Sequence, residues 1–238
     1  MGSIGGKASY RGITFESAAA RVRAGENAGS VRVRPVSGFQ RAVRRRLGRI
    51  PLLRGLTMFL QPGMWVILLL LLVNDALTIA GVDMGGGLTD TVLLIALAAA
   101  CGVFWLVRRV KGGSLASARR YHAAEHMAIN TFEARLPLVA ENVAVAKRTH
   151  PRCGTNLAVI MLLLGAPVII LCPYGLVLLP VICAAYEIFL ALPKLRWLKP
   201  LFAACLWVQR HVTTAAPGEK EIEVAVRGIK RLAEGNGK

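Results

Sequence analysis

The sequence predicts a mainly α membrane protein with about four transmembrane helices. A small N-terminal β element, a cytoplasmic central helical segment carrying an HxxEH motif and a C-terminal amphipathic helix complete the expected fold. Three observations predict it. The 238 residues are 55% hydrophobic with a mean hydropathy of +0.52, a membrane-like balance. Long apolar runs lie between residues 62 and 192. The basic residues fall in three blocks: residues 1–54 hold 12 Lys or Arg, 108–152 hold 9 and 194–238 hold 9, which are all 30 in the chain. The loops at 81–90 and 172–175 hold none. The positive-inside rule then puts both termini and the central segment in the cytoplasm.

Residues 1–36 are polar, glycine-rich and alternating, so a cytoplasmic hairpin-like element is expected there. Strand character runs over Tyr10–Val22 and Ser30–Val36, with a turn at Glu26–Gly29. The element is too short to hold a core alone. No apolar run follows Met1 for about fifty residues, so no signal peptide is expected. Gly6 stands where a myristoylation pattern needs Ser or Thr. Residues 37–55 read as a basic amphipathic helix and the approach to the membrane. Ser37 is its N-cap and Pro51 its stop. Phe39, Val43, Leu47 and Ile50 form one stripe, with Arg41, Arg44, Arg45 and Arg49 around it. Such a helix suits anionic headgroups. The net charge of +17 therefore needs no nucleic acid, and none is expected as partner.

Residues 56–110 carry the first two expected spans, at Pro62–Val82 and Leu88–Val110. Asn74 and Asp75 interrupt the first, and are read as polar groups near the interface rather than a pathway. Residues 157–193 carry the other two, at Leu157–Leu171 and Leu176–Leu192, joined by the turn Cys172–Gly175. In residues 194–238, the patch Leu201–Val208 is too short to span. Trp207 to Arg210 reads as an interfacial anchor or a lip over a site. Pro217–Glu234 reads as a closing helix with Ile222, Ala225, Val226, Ile229 and Leu232 on its apolar face. The five cysteines are scattered and imply no disulfide framework; all but Cys153 read as buried hydrophobes.

The chemistry concentrates in residues 111–156. His122 and His126, four apart on a helix, share one face and reach one ion, and Glu125 stands beside them as general base. His150-Pro-Arg-Cys153 adds an imidazole and a thiolate at metal-ligand spacing. His122, His126, His150 and Cys153 thus form a candidate N₃S set for a divalent metal, zinc first. All four binding would close the shell and make it structural. Three would leave a position at which water is activated. Glu133, Glu141 and Glu187 are substitute ligands or carboxylates behind the shell. Arg152, Thr155 and Asn156 either contact a polar substrate group or simply start the third span.

At these residues the chain resembles the YqhQ family of bacterial membrane proteins, predicted metal-dependent enzymes of unknown substrate. The matching pieces are Y-H-A-A-E-H at 121–126, Glu133, E-N-V at 141–143, H-P-R-C-G-T at 150–155, Y-E at 186–187, L-W-V-Q at 206–209, T-T at 213–214 and E-V-A at 223–225. Gly5, Gly6, Gly12 and I-P-L-L-R-G at 50–55 resemble its N-terminal half. Lys7 and Arg11 depart from its amide and acid, and Met127 stands where Lys is frequent. The resemblance implies a bacterial inner-membrane location and the same His, Glu and Cys positions.

Two functions follow as expectations. One is a metal-dependent hydrolase at the membrane–cytoplasm boundary, acting on a lipid-linked or membrane-associated substrate or a peptide. The other is a non-catalytic metal-stabilised scaffold or homo-oligomeric channel or transporter, in which Asn74, Asp75 and Glu187 are the polar groups of a pore.

Overall fold

The computed structural model describes residues 4–17, 20–27, 31–60, 62–81, 114–172 and 174–235. The described chain is mainly helical, with one small N-terminal sheet. The strands are β1 (Gly5–Ser9), β2 (Gly12–Glu16), β3 (Ala20–Gly25) and β4 (Arg32–Pro35). The helices are α1 (Gly38–Leu47), α2 (Pro62–Ile79), α3 (Leu115–Glu133), α4 (Ala140–Ala144), α5 (Gly154–Leu171), α6 (Leu178–Ala191), α7 (Lys199–Val208) and α8 (Glu219–Gly235). The chain forms two compact units. One comprises Met1–Val43, Gly113–Leu157 and Phe189–Lys238; the other comprises Arg44–Gly112 and Ala158–Ile188.

In the first unit the strands form an antiparallel meander in the order β1-β2-β3-β4. The stretch expected as one strand from Tyr10 to Val22 is two. It divides between Glu16 and Ala20 into β2 and β3, which pair antiparallel, with the Ser17 N–H donating to the Ala20 carbonyl at 2.8 Å. Alternation sorts the faces. Ile13, Phe15, Val22 and Ala24 are fully buried on the inner face, while Lys7, Arg21, Arg23, Arg32 and Arg34 stand exposed on the outer one. The inner face packs on α3 and α8. That is how a sheet too small for its own core is stabilised.

Helix α8 supplies the other half of this core. Ile222, Val224, Ala225, Val226, Ile229 and Leu232 are buried, as the helical period requires. Its start is capped from one side: the Glu221 carboxylate, three residues into the helix, accepts the Gly218 N–H at 2.8 Å. Gly228 is glycine for space, since a Cβ there would meet the Phe15 ring at 2.9 Å and Ala24 Cβ at 3.1 Å.

Helix α1 begins at its expected cap, with the Ser37 hydroxyl accepting the Gln40 N–H at 3.2 Å. It buries none of its residues, and Phe39 is 73% exposed.

In the second unit the chain enters α2 through a 3₁₀ segment, Leu53–Leu60. Asp75 on α2 is buried and accepts the backbone N–H groups of Gly175 and Leu176, the latter at 3.0 Å. It thus caps the turn that leads into α6. Glu187 on α6 is held by the Arg54 guanidinium through two contacts of 2.6 Å and by the Leu52 N–H at 2.9 Å.

The first and fourth expected spans are shorter as helices than as apolar runs, whereas α5 contains the whole of the third. The first run ends as helix at Ile79, and α6 begins only at Leu178, after a 3₁₀ turn at Gly175–Val177. The expected span at Leu88–Val110 lies outside the described residues. Among the described residues no single helix is long and apolar enough to cross a membrane. One pair with a break between, Gly175–Ala191 and Arg196–Thr213, reaches the length and composition only together.

Phe15→Ala is expected to destabilise the first unit by about 3–5 kcal/mol, since it empties a core position that α8 cannot refill. Urea denaturation followed by circular dichroism reads this; a loss under about 1 kcal/mol contradicts the packing described.

Candidate metal centre

Helix α3 carries the first half of the site. The Ser114 hydroxyl caps it, accepting the Ser117 N–H at 3.0 Å. Four residues apart, His122 and His126 project from one face with ring centroids 4.4 Å apart. The second half is the start of α5. Cys153 sits at its N-cap position, and its sulfur accepts the Thr155 N–H at 3.4 Å.

Three donor atoms converge. Those of His122, His126 and Cys153 lie within 4.8 Å of one another, and Cys153 Sγ is 3.3 Å from His122 Nε2. A tetrahedral zinc ion, with Zn–S of about 2.3 Å and Zn–N of about 2.0–2.1 Å, holds its donors roughly 3.3–3.6 Å apart. The group fits such an ion with a small movement of side chains.

The imidazoles are oriented for this. His122 Nδ1 lies 3.0 Å from the Thr213 carbonyl oxygen, and His126 Nδ1 lies 2.7 Å from that of Arg148. A carbonyl only accepts, so each Nδ1 carries the proton. In the neutral ring the Nε2 lone pair is then left for a ligand. Metal-binding histidines are held in this way. Burial raises the Cys153 thiol, but His126, when its ring is protonated at both nitrogens, and the bonds from Thr155 outweigh it and hold the thiol below its usual range. That favours the thiolate, the form that binds metal.

Glu125 stands behind the cluster, 4% exposed. Burial pushes its carboxyl up to about 8; His122 pulls it down, Cys153 pushes it further up, and the Ala8 N–H pulls it down. Oε2 is buried without a hydrogen-bond partner among the described residues. A buried carboxyl with an unspent oxygen beside a donor cluster suits proton transfer or ligation. Strand β1 runs against it. A Cβ at Gly6 would clash with the Glu125 side chain, so any larger residue there would displace that carboxyl group.

His150, expected as a fourth ligand, is committed elsewhere. Its Nδ1 accepts the Arg152 N–H at 3.2 Å, and its Nε2 faces Glu133 Oε2 at 3.3 Å. Burial holds it below its usual value, against the raising effect of Glu133. Glu133 also binds the Arg152 guanidinium. These three residues form a network beside the cluster, with the His150 ring centroid 5.9 Å from that of His126. Glu141 is exposed in the first turn of α4, and Glu187 belongs to the second unit with Arg54; neither joins the donor group. Asn156 is buried and structural: its Nδ2 donates to the Pro151 carbonyl at 2.8 Å. The Thr155 hydroxyl lies 3.3 Å from that of Thr213.

Gln209 was legible only as part of an anchor or lip. It is fully buried at the start of a π-helical turn, Gln209–Thr213. Its Oε1 accepts the His150 N–H at 2.9 Å, while its Nε2 donates to the His150 carbonyl at 3.1 Å and to Asn156 Oδ1. The same turn presents the Thr213 carbonyl to His122. Arg119 closes it by donating to the His211 and Thr214 carbonyls at 2.8 and 3.1 Å. A lone amide ending an apolar run is the signal that could have found Gln209, because a buried amide needs partners.

All these donors and braces after residue 51 fall within one family match. The family described as a protein of unknown function, DUF1385, matches residues 52–235. The chain belongs to the DUF1385 family. The uncharacterized protein YqhQ of Bacillus subtilis (strain 168) is 32% identical over 126 residues, covering 48% of this chain and 39% of that protein. The chain thus matches about two fifths of that relative's length. No solved structure matches. In this DUF1385 protein the HxxEH helix, Cys153 and Gln209 lie inside the family match, while β1–β4 precede it.

Gln209→Leu is expected to cost about 1–3 kcal/mol for each buried polar group left unpaired. It should also loosen the segment 148–153. Hydrogen exchange at the His150 amide checks this; unchanged protection there contradicts the role given to Gln209.

Proposed function

We propose that this is a membrane protein with a cytoplasm-facing metal site, acting as a metal-dependent hydrolase at the membrane surface. His122, His126 and Cys153 hold a divalent metal, zinc first. The observation that carries the reading is the convergence of their three donors, with both Nδ1 positions tied to backbone carbonyls. Three protein ligands leave one position open, where a bound metal supplies Lewis acidity. Glu125 takes a proton from water and returns it to the leaving group. Its raised pKa suits this exchange near neutral pH. Asn156, Gln209 and Arg119 hold the backbone that positions the ligands.

The membrane part rests on exposed apolar side chains and charge. Trp65, Val66, Leu69 and Leu70 of α2 are each 60% exposed, and Ile170 and Leu171 of α5 exceed 80%. Water penalises so much apolar surface, whereas a bilayer accepts it. Anionic headgroups suit the arginines of α1 and the bacterial inner membrane the segregation of charge. The channel reading has less support, since Asp75 and Glu187 spend their carboxylates on partners within their own unit.

Elemental analysis of detergent-purified protein is expected to find about one divalent ion per chain, lost in a His122→Ala/His126→Ala double variant. Glu125→Gln should retain the ion and fail to complement a deletion of the gene. Full complementation by that variant rules out the proton-transfer role. A folded wild type without metal rules out the site.

A further inference from the structure

The substrate class of that same site follows from the edge of the sheet, and the inference rests on the metal-hydrolase reading. Strand β1 pairs with β2 on one side, and no strand covers its other edge among the described residues. Ser9 and Gly12 flank the two-residue turn, so they form a mutually hydrogen-bonded pair. Counting back by two, Lys7 and Gly5 also bond β2. Ala8, Gly6 and Ile4 turn their N–H and C=O groups to the other edge, where Ile4 is buried and Gly6 alone of the three is exposed. Glu125 takes the Ala8 N–H, as this register requires. Gly6 is next along the edge. It is exposed, and it lies directly against Glu125. A backbone added beside Gly6 would therefore run past the proton-transfer group, which is itself within electrostatic reach of His122 and Cys153.

The outer face of the sheet adds a charge preference. Lys7 pairs with Thr14, Thr14 with Arg23 and Arg23 with Arg32, so one cross-strand row carries three exposed cations. Arg23 and Arg32 stand directly opposite each other, an arrangement that costs stability without an anion nearby. A strand added at β1 extends this row. Alternate side chains of that strand would lie beside Lys7, and acidic ones would be favoured there.

We propose that the open edge of β1 binds an extended, acidic polypeptide segment by strand addition, and that the reaction is hydrolysis of its peptide bond. Main-chain pairing at Gly6 gives the segment its register, and the cationic row selects side chains at alternate positions. Water adds its oxygen to the carbonyl carbon and the C–N bond breaks. The proton that Glu125 takes from water passes to the leaving nitrogen, and the proton left on the new carboxyl group follows it, giving a carboxylate and an ammonium.

The test uses the zinc-loaded full chain in detergent and two quenched fluorescent decapeptides, one alternating Glu and Val, the other Lys and Val. The wild type should cleave the acidic peptide. Lys7→Glu should lower kcat/KM for it by roughly tenfold and improve cleavage of the basic one, as reversal of one exposed charge contact allows. A merely damaged fold cannot reverse the preference. Glu125→Gln, inactive, should still protect the amides of residues 4–7 from hydrogen exchange when the acidic peptide is added. A metal-loaded protein that cleaves neither peptide, or whose preference ignores Lys7→Glu, overturns the proposal and leaves the metal site standing. A folded protein that takes up no metal overturns both.

Discussion

Two hydrogen bonds from imidazole to backbone govern the site. His122 Nδ1 to the Thr213 carbonyl and His126 Nδ1 to the Arg148 carbonyl fix which nitrogen faces inward. Without them each ring could turn over or carry its proton on either nitrogen, and Nε2 would not be reserved for a metal. Much of the first unit serves those two carbonyls. The π turn at Gln209–Thr213 presents one and Arg119 holds the turn closed. The loop before α5 presents the other, and Asn130 steadies it by donating to the Lys147 and Thr149 carbonyls at 2.7 and 3.1 Å.

The sheet matters to the site through packing. Phe15, Val22 and Ala24 set the sheet on α3 and α8. Gly228 and Gly6 are the two places where the approach leaves no room for a side chain. At Gly6 the close approach buries Glu125 and raises its pKa. The same contact that stabilises a small sheet therefore sets the chemistry of the carboxyl beneath it.

What could be read from the sequence was local. The spacing of His122 and His126 is a helical repeat, and the helix is where it was expected. The apolar positions of α8 and the cap at Ser37 follow from the same short-range rules. The division of Tyr10–Val22 between Glu16 and Ala20 is not legible, because neither glycine nor proline marks it. Long-range choices could not be read. His150 and Cys153 have the spacing of a ligand pair, yet His150 turns to Glu133 while its backbone is held by Gln209, 59 residues away. Glu187 looked like a carboxylate in need of a metal; its partner is Arg54, 133 residues distant. Hydropathy marked the apolar runs, but helix ends depend on turns and caps, so α2 and α6 are shorter than the runs containing them.

The central claim is one ion held by two imidazoles and one thiolate. X-ray absorption at the zinc edge on the purified, zinc-loaded protein tests it most directly. The account predicts one sulfur near 2.3 Å and two imidazole nitrogens near 2.0–2.1 Å, with the remaining position filled by a light atom. Cys153→Ser should remove the sulfur shell. A shell without sulfur, or one with three imidazoles that loses a nitrogen in His150→Ala, would contradict it.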